Sequence, residues 1–334
     1  MLSVISTEGG NVMNVEFHSA FSEKLYSFVA QKNSVGFPYE GSIKYLREFD
    51  RMCSEWFPGQ SNLTKEICMR WAIKRDTEQN NSFNNRLMPI REFAKYLIRT
   101  GEEAYLISTE FVKHKPHRTP YIYSQKEILL IWDFYDKRKP THKAPVKHLV
   151  MSAIIRLLYC CGLRPVESVR LRTQDVDLAT GKAYIIESKG HKDRIVMMPD
   201  DLISYLREYD RQVQFYMPDR KTFFPNAIDG IYSVIELDRI FRDARQACGI
   251  TGNSMITPRL YDIRHTFATH RLYQWMKEGK NLSAMVPYLS AYMGHTELSD
   301  TYYYIHLVPG QFEAMSGFDG SSLEKLIPEV KRHE

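Results

Sequence analysis

Near its C-terminus the chain reads Gly294-His295-Thr296-Glu297-Leu298-Ser299-Asp300-Thr301-Tyr302-Tyr303-Tyr304-Ile305-His306. A tyrosine nine residues after a glycine–histidine pair and two residues before a second histidine is a candidate nucleophile beside a phosphate-binding histidine. A tyrosine hydroxyl has a pKa of about 10, so it needs cationic neighbours before it attacks anything near neutral pH. Three consecutive tyrosines by themselves are more typical of packing. The interpretation therefore depends on whether the chain also supplies a cluster of Arg, Lys and His.

One cationic candidate follows a long apolar segment. Arg164 lies in Gly162-Leu163-Arg164-Pro165-Val166-Glu167, where Pro165 favours the start of a new helix. This places Arg164 at a corner of the chain, with Glu167 one helical turn later as an orienting partner. Taken alone, Arg164 and Glu167 are more typical of a structural ion pair.

Two further cationic candidates lie in a turn and on a helix. Lys189 falls between two β-rich runs, 182–187 and 194–198, which indicate a hairpin. Arg264 lies in Tyr261-Asp262-Ile263-Arg264-His265, within a helical pattern. A hairpin lysine is ordinarily solvated, and an arginine followed by histidine fits any polar helix face. The ordered set of all these groups is what favours a common site.

This ordered set resembles the tyrosine recombinases of the phage integrase, Xer and Cre superfamily. The resemblance covers about residues 120–310 and is carried by the segments 162–171, 187–194, 260–269, 293–295 and 304–306. The helical N-terminal part matches only in kind, as a core-binding domain. The implied fold class is mainly α with a small β-sheet, in which a helical core-binding domain precedes a mixed α/β catalytic domain.

The resemblance also implies a role for each residue of the set. Arg164 and Arg264 would clamp the scissile phosphate, and Lys189 would protonate the departing 5′ oxygen. His295 would hydrogen-bond a phosphate oxygen, and Tyr304 would attack to form a 3′-phosphotyrosyl link. Guanidinium groups suit this task because they stay charged and pair with phosphate oxygens in a fork. The covalent intermediate conserves the phosphodiester bond energy, so we expect no cofactor and no metal.

At one position the chain departs from the family pattern. The family usually has a histidine three residues before the second arginine, and here that position holds Tyr261. A neutral phenol donates a hydrogen bond but is a poorer proton shuttle near pH 7. We therefore expect Tyr261 to line the site. We expect His265 to point elsewhere, because its angular position on the helix differs.

The family spacing also chooses among the three tyrosines. It selects Tyr304 as the nucleophile, keeps Tyr303 as the reserve candidate and makes Tyr302 the least favoured. His306 is expected to be structural.

Hydrophobic spacing predicts a helical first part and a mixed second part. Amphipathic helices are expected at 19–32, 42–56, 64–75 and 82–100. Ser124 opens a capping box, and a long helix follows at 146–161. The predicted segments are a flexible N-terminus (1–14), a helical core-binding DNA-binding domain (15–108), a basic interdomain linker (109–120), the catalytic domain (121–310) and a C-terminal tail (311–334).

Positive charge is concentrated in two clusters, 113–118 and 137–147, in a chain of formal net charge +5. Such clusters neutralise phosphates and release counterions, although each alone also fits a solvated loop. The predicted DNA contacts are Lys113, Lys115, Arg118, Lys143 and Lys192.

Cysteine usage and hydropathy indicate the compartment. Five cysteines are scattered without a CxxC pair, which favours a reducing environment. No apolar run approaches the roughly 18 residues of a spanning helix, and residues 1–14 lack the pattern of a secretory signal. We expect a cytoplasmic protein with no membrane partner.

The resemblance implies site-specific recombination by a homo-tetramer that clamps two double-stranded DNA sites, with accessory DNA-bending or directionality proteins compatible with this role. Tyr261 and the loosely matching N-terminal half favour a mobile-element integrase or transposase. Two alternatives stay open, namely a type IB topoisomerase-like enzyme and a DNA-binding regulator that has lost activity. For the tail 311–334 three arrangements stay open, namely docking on a neighbouring protomer, packing in cis and a free tail.

Overall fold

The computed structural model describes residues 16–35, 39–113, 118–186, 193–252 and 256–305. The chain divides into two compact units, Met1–Arg118 and Thr119–Glu334. Across the described residues the fold is mainly α with one small β-sheet, which confirms the predicted class. The predicted N-terminal segment 1–14 and tail 311–334 lie outside the described residues.

The first unit has an aromatic core between its helices. These are α1 (Ser22–Ser34), α2 (Glu40–Trp56), α3 (Lys65–Trp71) and α4 (Asn80–Arg99). The ring of Phe49 packs edge-on against Trp71 at 5.4 Å between centroids, and Phe28 packs against Phe93 at 5.5 Å. Tilted and edge-on pairs of this kind stabilise a core beyond simple area burial. Pro89 lies inside α4, which continues through it.

Helix α3 is shorter than its hydrophobic pattern predicts. The pattern extends the helix through Arg75, whereas α3 ends at Trp71. Arg86 of α4 donates to the carbonyl oxygens of Trp71 at 2.5 Å and Ile73 at 3.0 Å. Its guanidinium also pairs with Glu78 at 2.8 Å. A buried cation thus satisfies carbonyls that a longer helix would have used internally, which ends the helix there.

The second unit carries the remaining helices and the sheet. The helices are α5 (Gln125–Asp136), α6 (Lys147–Cys161), α7 (Pro165–Val169), α8 (Asp200–Tyr216), α9 (Val234–Ala247), α10 (Asp262–Lys277), α11 (Leu282–Met293) and α12 (Ser299–Tyr302). The described strands are β1 (Val176–Asp177), β2 (Lys182–Ile185) and β3 (Arg194–Met197). They pair antiparallel in the order β1-β2-β3, with Ile185 opposite Arg194. The predicted hairpin is confirmed, and its connecting residues 187–192 lie outside the described residues.

Helix α6 forms the centre of the second unit because most of its surface is apolar. Val150, Ile154 and Leu158 are among its buried residues, and the helix packs against α5, α8 and α10. At the start of α5, Ser124 and Glu127 form the predicted capping box, in which the Ser124 amide donates to Oε2 of Glu127 at 2.7 Å. Over the described part of the chain, no helix is both long and apolar enough to cross a membrane.

Candidate active site

The corner predicted around Arg164 is present. Helix α6 ends at Cys161 and is followed by Gly162, whose φ of 61° is left-handed, and Pro165 begins α7. Arg164 lies between them. Its backbone amide donates to Oε2 of Glu167 at 2.8 Å, and its Nη1 donates to Oε1 at 2.7 Å. Glu167 therefore fixes both the backbone and the guanidinium of Arg164, as its position one turn later predicted.

A second arginine, which was not predicted as a site residue, shares this carboxylate. Nη1 and Nη2 of Arg194 donate to Oε1 and Oε2 of Glu167 at 2.9 Å and 2.8 Å. Burial alone would raise the pKa of Glu167, but the hydrogen bonds and charge of Arg194, together with the hydrogen bonds from Arg164, lower it to about 2. The signal for Arg194 was its place at the start of the second β-rich run, directly after the hairpin turn.

Arg264 joins three segments of the chain from the first turn of α10. Its side chain is 1% exposed. Nη1 donates to the carbonyl oxygen of Gly162 at 2.6 Å, and Nη2 donates to that of Met293 at 2.7 Å. Burial and the charge of Arg164 lower the pKa of Arg264 to about 10, so the guanidinium stays protonated near neutral pH.

Both predicted arginines bind the C-terminal end of α11. Arg264 binds the Met293 carbonyl, and Nη2 of Arg164 donates to the adjacent Gly294 carbonyl at 2.8 Å. Gly294 is left-handed with φ 66°, which ends the helix and turns its last carbonyls outward. Helix-end carbonyls lack partners within the helix, so they attract cations. This arrangement holds His295 next to both guanidinium groups.

His295 is a neutral imidazole at physiological pH. Burial, followed by the charges of Arg264, Arg164 and Arg194, lowers the pKa of His295 to about 3. Its Nδ1 is 2.7 Å from the hydroxyl oxygen of Thr301. A neutral imidazole presents one donor and one acceptor, so His295 retains a second ring nitrogen for a ligand oxygen.

Tyr304 is the buried member of the three tyrosines, with 3% exposure, whereas Tyr302 and Tyr303 are partly exposed. Its ring lies nearly parallel to that of His295, at 6.0 Å between centroids. Burial raises the pKa of Tyr304 to about 12, with Arg264 acting in the opposite direction. The hydroxyl therefore carries its proton near neutral pH and has to lose it before it acts as a nucleophile.

The prediction that His265 points elsewhere is wrong. Nδ1 of His265 lies 3.1 Å from the hydroxyl oxygen of Tyr304. The prediction considered only the direction in which His265 points on its own helix. Tyr304 belongs to a different segment of the chain, and its hydroxyl contacts the face of α10 that carries His265. Tyr261 lies beside them, with its ring 5.3 Å from the ring of His265 and a 40% exposed side chain.

A family model described as the phage integrase family matches residues 123–310, which is more than half of the chain. The chain belongs to the phage integrase family. It is 28% identical over 292 residues to y4rE of Sinorhizobium fredii, an integrase/recombinase by name, across 86% of this chain and 92% of that protein. It is 30% identical over 258 residues to the tyrosine recombinase XerC of Chlamydia pneumoniae, across 73% and 74% of the two chains.

A solved structure of the XerH site-specific recombinase bound to its difH substrate has the same fold. The match has a TM-score of 0.61 at 17% identity and covers 86% of this chain and 82% of that one. Together with the family match, these relatives make the chain a site-specific recombinase of the tyrosine type.

The recombinase thus brings together Arg164, Arg264, His295 and Tyr304, with Tyr261 at the edge. Three further predicted residues, Lys115, Lys189 and Lys192, lie outside the described residues. The predicted DNA contacts Lys113, Arg118 and Lys143 are exposed, the first two in the first unit and the third in the second. Among the described residues, no group of three or more His, Cys, Asp or Glu is arranged to hold a metal ion.

Proposed function

We propose that this recombinase cuts and rejoins DNA through a 3′-phosphotyrosyl intermediate, with Tyr304 as the nucleophile. The observation that carries the proposal is the location of a buried tyrosine hydroxyl between His265 and His295, beside two guanidinium groups held on neighbouring carbonyls. Phosphodiester exchange develops negative charge on the phosphate, and preorganised donors there are the main source of acceleration.

The two arginines are suited to clamp the scissile phosphate. A guanidinium has five N–H donors, and the carbonyl bonds of Arg264 to Gly162 and Met293 use two of them. The other donors of Arg264 serve a phosphate oxygen in this proposal. The guanidinium of Arg164, which Glu167 holds in place, adds a second positive charge at the same corner. His295, being neutral, donates one hydrogen bond to a phosphate oxygen without adding charge.

The remaining catalytic step is protonation of the departing 5′ oxygen. We assign it to Lys189, from the family resemblance and from its position in the sequence between β2 and β3. Tyr261 lines the site and contributes a hydrogen-bond donor. No metal or nucleotide takes part in this proposal, because the tyrosyl ester conserves the energy of the phosphodiester bond.

We further propose that the partner is double-stranded DNA, as the solved structure of XerH bound to its difH substrate suggests. The helices of residues 15–108 would form the core-binding domain, residues 109–120 the basic linker and residues 121–310 the catalytic domain. Exchange between two duplexes breaks four strands, and each break needs one tyrosine. Four protomers on two sites therefore complete the reaction. The biological role that we propose is that of a mobile-element integrase or transposase.

The proposal is tested with Tyr304→Phe and Tyr303→Phe on nicked duplexes taken from the DNA that flanks the recombinase's own coding sequence. A nick traps the covalent intermediate because the strand that would religate diffuses away. Tyr304→Phe is expected to bind the duplex and form no adduct on denaturing gels, while Tyr303→Phe forms the adduct as the wild type does. An adduct that persists in Tyr304→Phe would refute the assignment.

A further inference from the structure

The proton of Tyr304 needs an acceptor. Because burial raises the pKa of Tyr304 to about 12, the phenol is protonated when DNA arrives. Attack on phosphorus by a protonated phenol is slow, and a general base within hydrogen-bond reach is the usual remedy. The histidine that the family usually places three residues before the second arginine is absent here, since that position holds Tyr261.

His265 has the position that this role requires. Its Nδ1 lies 3.1 Å from Oη of Tyr304, and the two ring centroids are 5.5 Å apart. Burial, then the charges of Arg259 and Arg264, lower the pKa of His265 to about 4, so the imidazole is neutral near pH 7. A neutral imidazole with its proton on Nε2 presents the Nδ1 lone pair to the phenol.

The two neighbouring candidates are less suited to accept this proton. Nδ1 of His295 is occupied by the hydroxyl of Thr301 at 2.7 Å, and its ring lies within 22° of parallel to that of Tyr304. A near-parallel ring presents its face rather than a nitrogen to its neighbour. Tyr261 carries a phenol, whose oxygen is a much weaker base than an imidazole nitrogen and therefore does not take the proton from a second phenol.

We propose that His265 is the catalytic base that removes the phenolic proton of Tyr304. This inference rests on the proposed function of Tyr304. As the Oη–P bond forms, the phenolic proton passes to Nδ1 of His265, and the P–O5′ bond breaks. The 5′ oxygen takes a proton from the general acid assigned to Lys189. Religation runs the same transfers in reverse, so neither an oxidant nor a metal enters the balance.

The helix register explains how adjacent residues perform different tasks. Successive residues of an α-helix point about 100° apart. Arg264 points inward to the carbonyls of Gly162 and Met293, whereas His265 turns towards the segment that carries Tyr304. Base and phosphate clamp are therefore carried by one turn of α10, which fixes their separation.

The test compares His265→Asn and His265→Ala with the control His270→Asn, by the single-turnover rate of adduct formation on the nicked duplex, and Tyr261→Phe is measured beside them. Asparagine keeps a hydrogen-bonding atom near Nδ1 but does not take up a proton. Both His265 variants are expected to lose about 10²-fold or more in rate while binding the duplex normally. His270→Asn is expected to keep nearly the full rate, because His270 lies on the same helix but its Nδ1 is 3.0 Å from the hydroxyl oxygen of Tyr159 and it has no role in the proposed site. Added imidazole is expected to restore part of the rate of His265→Ala alone.

A positioning role gives a different pattern. In that case His265→Asn forms the adduct at the wild-type rate, and added imidazole does not change the rate of His265→Ala. Either result overturns the inference. Loss of the rate in Tyr261→Phe with full activity in His265→Asn would transfer the role to Tyr261. Tyr304→Phe, run in parallel, separates the two proposals. An adduct in that variant refutes the proposed function, whereas its absence together with an active His265→Asn refutes only the role of His265.

Discussion

Both carboxylate oxygens of Glu167 accept hydrogen bonds from Arg194, at 2.9 Å from Nη1 and 2.8 Å from Nη2. Oε1 also accepts from Arg164 at 2.7 Å. One buried carboxylate therefore balances two guanidinium groups, one from the corner before α7 and one from the start of β3. Removing one partner of a buried ion pair leaves an uncompensated charge, which costs far more than the pair contributes.

Glu167→Gln should consequently lose both stability and cleavage. The amide keeps the size of the side chain but removes the buried negative charge that Arg164 and Arg194 share, so a loss of about 3–5 kcal/mol in the free energy of unfolding is expected. Urea unfolding measures the loss, and adduct formation measures the displacement of Arg164. Glu208→Gln is the control, because Glu208 pairs with Arg211 on the surface. An unchanged unfolding midpoint in Glu167→Gln would contradict the prediction.

The same carboxylate predicts how stability depends on pH. The folded-state pKa of Glu167 is about 2, below its ordinary value of 4.5. Its ionised form therefore stabilises the fold above about pH 4.5, and this contribution disappears as the pH falls towards 2. The difference between the two pKa values corresponds to on the order of 3 kcal/mol in the free energy of unfolding. The gap in unfolding free energy between wild type and Glu167→Gln should be large at pH 7 and shrink at pH 3. A gap that is equal at both pH values would exclude this role.

Short-range signals in the sequence predicted the corner of the chain that carries Arg164. Pro165 predicted the corner, and the three-residue spacing of Arg164 and Glu167 predicted their pairing, because such spacing brings side chains together on a helix. The capping box at Ser124 likewise placed the start of α5. Each of these relations depends on neighbours within one helical turn, so the sequence alone contains the necessary information.

Contacts between residues far apart in the sequence could not be predicted from such local patterns. Arg194 reaches Glu167 across 27 residues, and Tyr304 reaches His265 across 39. The pattern of α10 states which way His265 points on its helix, but not which other segment faces it. Arg86 ends α3 from 15 residues away for the same reason. Tertiary packing decides these contacts, and single-sequence periodicity does not describe it.

Lys143 offers a test of the predicted DNA contacts. The side chain is exposed within the basic cluster 137–147. If it neutralises a phosphate, Lys143→Gln should reduce the slope of log K against log salt concentration by about 0.9. Lys280→Gln is the matched control, since Lys280 is exposed and lies outside both basic clusters. Filter binding to duplex DNA over a range of salt gives both slopes, and equal slopes would remove Lys143 from the interface.

Gly162 joins the backbone corner to the packing of α10. Its φ is 61°, and a Cβ placed there would lie 2.2 Å from Cδ1 of Phe267. Its carbonyl oxygen also accepts the 2.6 Å hydrogen bond from Arg264. Gly162→Ala should therefore cost the roughly 1–2 kcal/mol of a left-handed alanine and a further amount for the displaced ring. Because the displacement moves the Arg264 acceptor, adduct formation should slow as well.

Gly249→Ala separates the two contributions in this prediction. Gly249 is also left-handed, with φ 73°, but a Cβ there meets no atom within 4 Å. Urea unfolding of Gly249→Ala should therefore report the backbone cost alone. The additional loss in Gly162→Ala then measures the contact with Phe267. Equal losses in the two variants would show that the ring of Phe267 moves aside freely, and that Gly162 is required only for its backbone conformation.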